Sequence, residues 1–335
     1  MTWGRELKPT KASNRIVLAY SGSVSTTVAI PWLAERYDAE VVTVTLDLHQ
    51  RTGLLATRDR ALAAGAVRAH VVDACDEFAR DFIVPALRAG AVTPEGDVIV
   101  SALTQPLIAK HLVSIARLED AAAVAHGSED HTHCFESLIR DLDPSLAVLS
   151  PASDWMFAPA DLVSYARARS LSISPIDASA APRPASSAPD SPATVDVAFE
   201  EGVPVALNGV ALPMVELIAS VETIAGAHGV GPSVPATRLL HEAHRALQSC
   251  VTPPDIDRSA RERGADYAGL VNAGAWYSAA RKDGDAFVAS VQKHVTGTAR
   301  LRLFRGHSEV VECRSPFALS AVDPRPTTDV VAARS

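Results

Sequence analysis

No two of the four cysteines in this chain are spaced as a C-x-x-C pair. Cys75, Cys134, Cys250 and Cys313 are scattered, so the sequence carries neither a dithiol redox motif nor a zinc-ribbon framework. Long apolar runs are missing too, and nothing has the length of a signal-peptide core or a membrane span. Positive charge is in short supply: 31 Lys and Arg stand against 39 Asp and Glu, a formal net charge of -8. That balance offers no general attraction to polyanions, so neither nucleic acid nor a membrane surface is an expected partner. A cytoplasmic location follows as the expectation. What is present is ordinary globular material, 335 residues with 47% hydrophobic and 21% charged content, enough for two buried cores. The polar stretch 1–14, with Arg5, Lys8 and Lys11, reads as a leader.

Apolar runs alternate with helical patterns from residue 15 onward, the order of a parallel sheet with crossover helices and hence of an α/β domain. Strands are expected at 16–20, 40–46, 70–72, 121–125 and 146–149. Helices are expected at 26–37, 57–66, 76–89, 103–118, 134–142 and 159–169. Between 174 and 193 the composition turns to Ala, Ser and Pro, which buries too little surface to order itself and marks a domain boundary. Beyond it, strands at 194–199 and 203–207 read as a hairpin around Glu200-Glu201-Gly202. Helices follow at 213–228, 235–250, 258–277 and 283–294, then strands at 298–304 and 309–313. The division is thus a leader 1–14, a nucleotide-binding domain 15–173, a linker 174–193, an α+β domain 194–321 and a tail 322–335.

The segment Tyr20-Ser21-Gly22-Ser23-Val24-Ser25-Thr26-Thr27 lies between a strand end and a helix start. Free backbone N–H groups and the helix dipole converge there and favour an anion. Five hydroxyl residues add donors, and Gly22 lets a phosphate approach the backbone. A triphosphate suits this chemistry. A Ser/Thr-rich helix start is also an ordinary N-cap, and composition alone leaves both readings open.

The loop resembles the S-G-G-x-D-[ST]-[ST] pyrophosphatase loop of the argininosuccinate synthase family. The similarity continues through Val41-Val42-Thr43-Val44-Thr45-Leu46-Asp47, Pro106-Leu107-Ile108-Ala109-Lys110-His111 and Val124-Ala125-His126-Gly127. It resumes at Gly202-Val203-Pro204-Val205-Ala206-Leu207-Asn208-Gly209 and Val295-Thr296-Gly297-Thr298-Ala299-Arg300-Leu301, so that most of the chain is covered in order. The resemblance implies an adenine nucleotide alpha hydrolase-like domain (N-type ATP pyrophosphatase) with a parallel sheet, joined to an α+β synthetase-like domain in a homo-oligomer. It implies ATP and Mg2+, a small-molecule acceptor and an amine donor. In the family, ATP adenylates the ureido oxygen of citrulline, pyrophosphate leaves, and the amine of aspartate displaces AMP. Carried over by position, Ala19, Tyr20, Ser21, Gly22, Ser23, Ser25, Thr26, Thr27, Thr45 and Gly127 would bind nucleotide. Ser101, Gln105, Ser128, Glu129, His131 and His133 would face the substrates.

Several of these positions depart from the family pattern. Its second loop glycine is Ser23 and its loop carboxylate is Ser25, whose hydroxyl carries no charge to hold a metal. Its H-G-x-T-G-K-G-N-D-Q-V-R-F-E segment becomes a shorter run from His126 to Glu136 without counterparts of the Lys, Asn and Arg that serve the substrates. Glu129 would place like charge beside an aspartate carboxylate, and Gln105 replaces a guanidinium. The expectation is an ATP-dependent C–N ligase that adenylates an acceptor and releases pyrophosphate, with a substrate other than citrulline and aspartate. The alternatives are an inactive paralogue serving as a nucleotide-binding or scaffold subunit, and a true argininosuccinate synthase of arginine biosynthesis.

The crowding of His126, Glu129, Asp130, His131, His133 and Cys134 matches no structural zinc spacing, so no metal site is assigned and the stretch reads as a substrate loop. Lys110 and Arg80 are expected to pair with acids such as Asp81, Cys134 to pack, and His241 with His244 to lie on a solvated helix face.

Overall fold

Short β-branched and apolar runs, too brief to form stable helices and punctuated by turns, make the first sheet. β1 (Arg15–Ala19), β2 (Glu40–Asp47), β3 (Arg68–Asp73), β4 (Ala123–Ala125) and β5 (Ala147–Leu149) pair in the order β3-β2-β1-β4-β5. Every pairing is parallel. The computed structural model describes residues 14–48, 53–93, 98–127, 132–155, 159–173, 189, 191–230 and 235–319. Of the expected leader, linker and tail, only residues 14, 189 and 191–193 are among them.

Both faces of this sheet are buried. Ile16 and Leu18 point to one side with α1 (Val24–Tyr37), where Val28, Ile30 and Leu33 are fully enclosed. The alternating Val17, with Val42 and Val124, is equally inaccessible, the pattern of a parallel sheet covered on both sides. Around it stand α2 (Leu54–Ala63), α3 (Cys75–Phe78), α5 (Val100–Leu118), α6 (Thr132–Leu142), α7 (Pro151–Asp154) and α8 (Pro159–Ala168). At the amino edge, Glu119 is 2% exposed and receives Arg68 Nη1 at 2.6 Å and His70 Nε2 at 2.9 Å. Burial alone would raise its pKa, but those hydrogen bonds outweigh burial and hold it below the ordinary carboxylate value.

The helix expected over 76–89 is broken. A π-helical turn, Ala79–Ile83, separates α3 from α4 (Val84–Ala89). Pro85 has no N–H to donate to the Asp81 carbonyl, so the α-helical ladder loses a bond at this point. The compact units do not follow chain order either. One comprises residues up to Phe78, Ser101–Ser179 and Leu270–Ala279; the other takes Ala79–Val100, Ala180–Gly269 and Ala280–Ser335.

The second unit holds an antiparallel sheet of β6 (Ala193–Glu200), β7 (Val203–Leu207), β8 (Val210–Ala211), β9 (Gly297–Phe304) and β10 (His307–Arg314), ordered β10-β9-β6-β7-β8. The expected hairpin is β6–β7. Period-two alternation is clear: Val195, Val197 and Phe199 are buried with Ala299, Leu301 and Leu303. On the opposite face Arg300 forms a two-pronged bond with Asp196, both contacts at 2.7 Å. The helices are α9 (Met214–Ala227), α10 (Pro235–Val251), α11 (Pro254–Asn272) and α12 (Ala279–Gln292). α11 starts and ends earlier than periodicity suggests, because Pro254 is suited to a first helical position and Gly274 follows its end at φ 72°.

His241 and His244 were expected in solvent; they are 8% and 2% exposed. His244 Nε2 meets Gln292 Oε1 at 2.7 Å, and Gln292 Nε2 donates to Gln248 Oε1 at 2.8 Å. His244 and Gln248 can be buried on this helix because both bond the side chain of Gln292. Arg80 pairs with Asp81 at 2.7 Å, while Lys110 pairs with Glu77 at 2.6 Å. No helix among the described residues is long and apolar enough to cross a membrane.

Candidate nucleotide site

β1 is the strand at which the sheet order reverses, with β2 and β3 to one side and β4 and β5 to the other. The loops leaving the carboxyl ends of β1 and β4 thus lead to opposite halves of the sheet, the topology at which ligands usually bind in an open α/β sheet. Gly127, just past β4, lies so close to the β1 loop that an added Cβ would stand 2.8 Å from Thr26 Cγ2.

Three residues fasten the β1 loop from beneath. Tyr20 N–H donates to Val44 O at 2.8 Å, Thr45 Oγ1 donates to Tyr20 O at 3.0 Å, and Tyr20 Oη lies 3.0 Å from Thr27 Oγ1. Thr27 in turn donates to Ser23 O at 2.8 Å. Thr45 is buried and its hydroxyl donates to that carbonyl, which props the loop. Tyr20 and Thr27 play the same supporting part with their side chains. Ala19 closes β1 immediately before them.

Above this base, Ser23 caps α1, its Oγ accepting from Thr26 N. The hydroxyls of Ser21, Ser23, Ser25 and Thr26 form a continuous fan. Ser21 Oγ reaches Ser23 Oγ at 3.0 Å and Thr26 Oγ1 at 3.2 Å; Ser23 Oγ reaches Ser25 Oγ and Thr26 Oγ1 at 3.1 Å each. Hydroxyl protons rotate, so hydroxyls gathered in this way can turn donors toward an incoming oxyanion. The first turn of α1 contains no acidic residue, which leaves the positive end of its dipole uncompensated. Gly22, at φ +78°, takes a conformation that other residues rarely adopt, and its Cβ position is filled by Arg60 Nη2 at 3.0 Å and Thr57 Cγ2 at 3.2 Å.

These features fit a polyphosphate. Fit to a metal is weaker: among the described residues no group of three or more His, Cys, Asp or Glu could hold one. The oxygen donors that the loop offers a Mg2+ ion are hydroxyls.

The expected substrate residues are not gathered in the same way. Ser128, Glu129 and His131 lie outside the described residues, and His133 falls in the first turn of α6, where side chains are not described. Ser101 is exposed on α5, and its carbonyl accepts from Thr104 Oγ1 at 2.8 Å. Gln105 is part-buried, its Oε1 enclosed without a hydrogen-bond partner among the described residues. His126 is buried and stacks on Phe135 at 4.6 Å. Cys134 Sγ donates to Asn272 O at 2.9 Å, a packing role. Sequence reasoning missed Thr57 and Arg60 of α2, although their three-residue spacing places them on one helix face.

The chain matches the family model described as Arginosuccinate synthase N-terminal HUP domain over residues 15–172. It matches that described as Arginosuccinate synthase C-terminal domain over 172–233 and 232–325. Relatives named argininosuccinate synthase include one from Symbiobacterium thermophilum, 36% identical over 93% of this chain and 90% of that protein. Another, from Caldanaerobacter subterraneus subsp. tengcongensis, is 34% identical over 91% and 87%. A third, from Synechococcus elongatus, is 34% identical over 93% and 90%. A solved NAD+ synthetase from Burkholderia pseudomallei overlaps with a TM-score of 0.31 at 19% identity, over 49% of this chain and 68% of that one, too slight a likeness to bear on the fold.

Proposed function

This chain belongs to the argininosuccinate synthase family, and from that premise we propose that it is an ATP-dependent carbon–nitrogen ligase that adenylates an acceptor oxygen and releases pyrophosphate. Argininosuccinate formation, for which its relatives are named, is the first reading of the reaction. The acceptor oxygen attacks the α-phosphorus of ATP, the bond to the bridging oxygen breaks, and pyrophosphate carries that electron pair away. An amine nitrogen then attacks the activated carbon and AMP departs.

The observation that carries the proposal is the acid-free hydroxyl fan of Ser21, Ser23, Ser25 and Thr26 at the start of α1. In this reading its donors and the first amides of the helix would face the negative charge that grows on departing pyrophosphate, and donors already gathered in one place lower the barrier. Mg2+ would neutralise part of the same charge, with Ser25 and Ser23 as the neighbouring oxygen donors. Thr45, Tyr20 and Thr27 keep the fan in place from below.

A second reading, an altered acceptor or amine, is favoured by one specific feature. The resemblance implies a family guanidinium at the position of Gln105, whose Oε1 is enclosed without a partner among the described residues, an arrangement that invites a donor from a ligand in place of a carboxylate.

Calorimetry with the purified protein should give saturable ATP binding; the absence of any signal with adenine nucleotides up to millimolar concentration would remove the proposal. Pyrophosphate release with citrulline and aspartate, lost in Gly22→Val, together with rescue of an arginine auxotroph, would establish the first reading. Release that requires a different acceptor pair would establish the second. A protein that binds ATP but releases nothing with any pair would be the inactive paralogue.

A further inference from the structure

Resting on the nucleotide reading above, we propose that Arg60 is a phosphate-binding residue of this site, reaching from α2 over Gly22 to donate to the polyphosphate held by the β1 loop.

A basic residue in the last turn of a helix ordinarily complements the negative end of the dipole and lies in solvent. Arg60 is placed differently. Its side chain runs back toward the preceding turn, the direction a helical side chain favours, and Nη2 donates to Thr57 Oγ1 at 3.0 Å. Its Nε is buried without a hydrogen-bond partner among the described residues. The same Nη2 stands 3.0 Å from where a Cβ of Gly22 would be. The guanidinium therefore rests directly against the loop backbone, in space that only a glycine leaves open.

Nothing in the loop neutralises it. Residues 21–27 contain no carboxylate, and among the described residues the hydrogen bond to Thr57 is the polar contact Arg60 makes. A planar cation with several uncommitted donors, held beside an anion-binding loop, is matched by a phosphate oxygen pair. The loop is thus fitted with a charge that its hydroxyls do not supply. The positive group stabilises pyrophosphate as it departs and tightens the hold on ATP before it does. Because Arg60 touches phosphate and not adenine, its effect is confined to ligands that carry a polyphosphate.

Calorimetric titration of wild type, Arg60→Gln and Arg60→Lys with ATP, inorganic pyrophosphate and adenosine tests this. Arg60→Gln should weaken ATP and pyrophosphate by roughly 10- to 100-fold, the usual effect of a charge-assisted hydrogen bond, and leave adenosine unchanged. Arg60→Lys, which keeps charge and most of the stem, should fall between the two; it also carries the comparison should Arg60→Gln lower the melting temperature. Equal affinity of Arg60→Gln and wild type for pyrophosphate would overturn the assignment, and so would a parallel loss of adenosine, which marks a structural role. Wild type that binds neither ATP nor pyrophosphate would overturn the nucleotide reading itself. Loss in the variant with binding in the wild type separates the two cases.

Discussion

Ser25 occupies the second position of α1, within hydrogen-bond distance of Ser23 at 3.1 Å. The resemblance of the loop to S-G-G-x-D-[ST]-[ST] implies a carboxylate at this position in the family, and oxygen ligands with negative charge are what Mg2+ prefers when it accompanies phosphates. Replacing Ser25 with Asp should lower the Mg2+ concentration required for half-maximal pyrophosphate release, by about 10-fold if one charged ligand is gained. A Mg2+ titration of wild type and Ser25→Asp reads this directly, and identical curves would show that the metal does not approach this side chain. The loop itself was legible in sequence, since hydroxyls, a glycine and a helix start are adjacent in the chain. Which hydroxyls were available was not legible. Thr26, Thr27 and Thr45 share one chemistry and are all buried; Thr26 is joined to the hydroxyls of Ser21 and Ser23, while Thr27 and Thr45 donate to the backbone carbonyls of Ser23 and Tyr20.

α10 shows the same contrast over a whole element. Charged and histidine residues at 238, 241, 244 and 245 suggest a solvated face, yet one stripe of them is enclosed in the second unit. Burial pushes the pKa of His241 down to about 4, with His244 and Arg245 adding to it. His244 is likewise down to about 4 through burial and Arg88, against a smaller upward pull from Gln292. In the folded state both rings are neutral; in the unfolded state each takes up a proton near its ordinary value of 6.5. The unfolded chain therefore binds more protons between about pH 6.5 and pH 4, and stability falls as pH falls through that window. His244→Gln keeps a donor toward Gln292 and removes one titration. Its unfolding free energy from urea titrations should fall less than that of wild type between pH 7 and pH 4.5, by on the order of 2 kcal/mol. Parallel pH profiles for the two proteins would refute this account of His244.

Across the whole chain, each compact unit borrows a segment from the other's stretch of sequence. Tyr277 Oη donates to Pro106 O at 2.7 Å, and Gly274 packs on the Cys134 backbone. Residues 270–279 thus complete the first unit from far along the chain. In the second unit, Gly264 of α11 packs against the carbonyls of Ala89 and Gly90, so the segment after the π-helical turn belongs there. A fragment of residues 14–173 should accordingly lack a cooperative thermal transition. It would leave Pro106 and Cys134 without these partners and expose Leu87, which is 1% accessible in the full chain. Circular dichroism of the fragment checks this, and a sharp melt at the full-length temperature would contradict it.

By itself the sequence determined the parallel sheet, the phosphate loop and the family, because each is written in residues that are neighbours in the chain: alternating apolar runs, a glycine among hydroxyls, a strand handing over to a helix. Tertiary structure alone decided that α10 turns its histidines inward and that Thr45 donates to the Tyr20 carbonyl beneath the loop. It also decided that Arg60 lies against Gly22, 38 residues away in sequence. Burial and cross-chain hydrogen bonds depend on what packs opposite a side chain, and a local pattern of residue types carries no record of that.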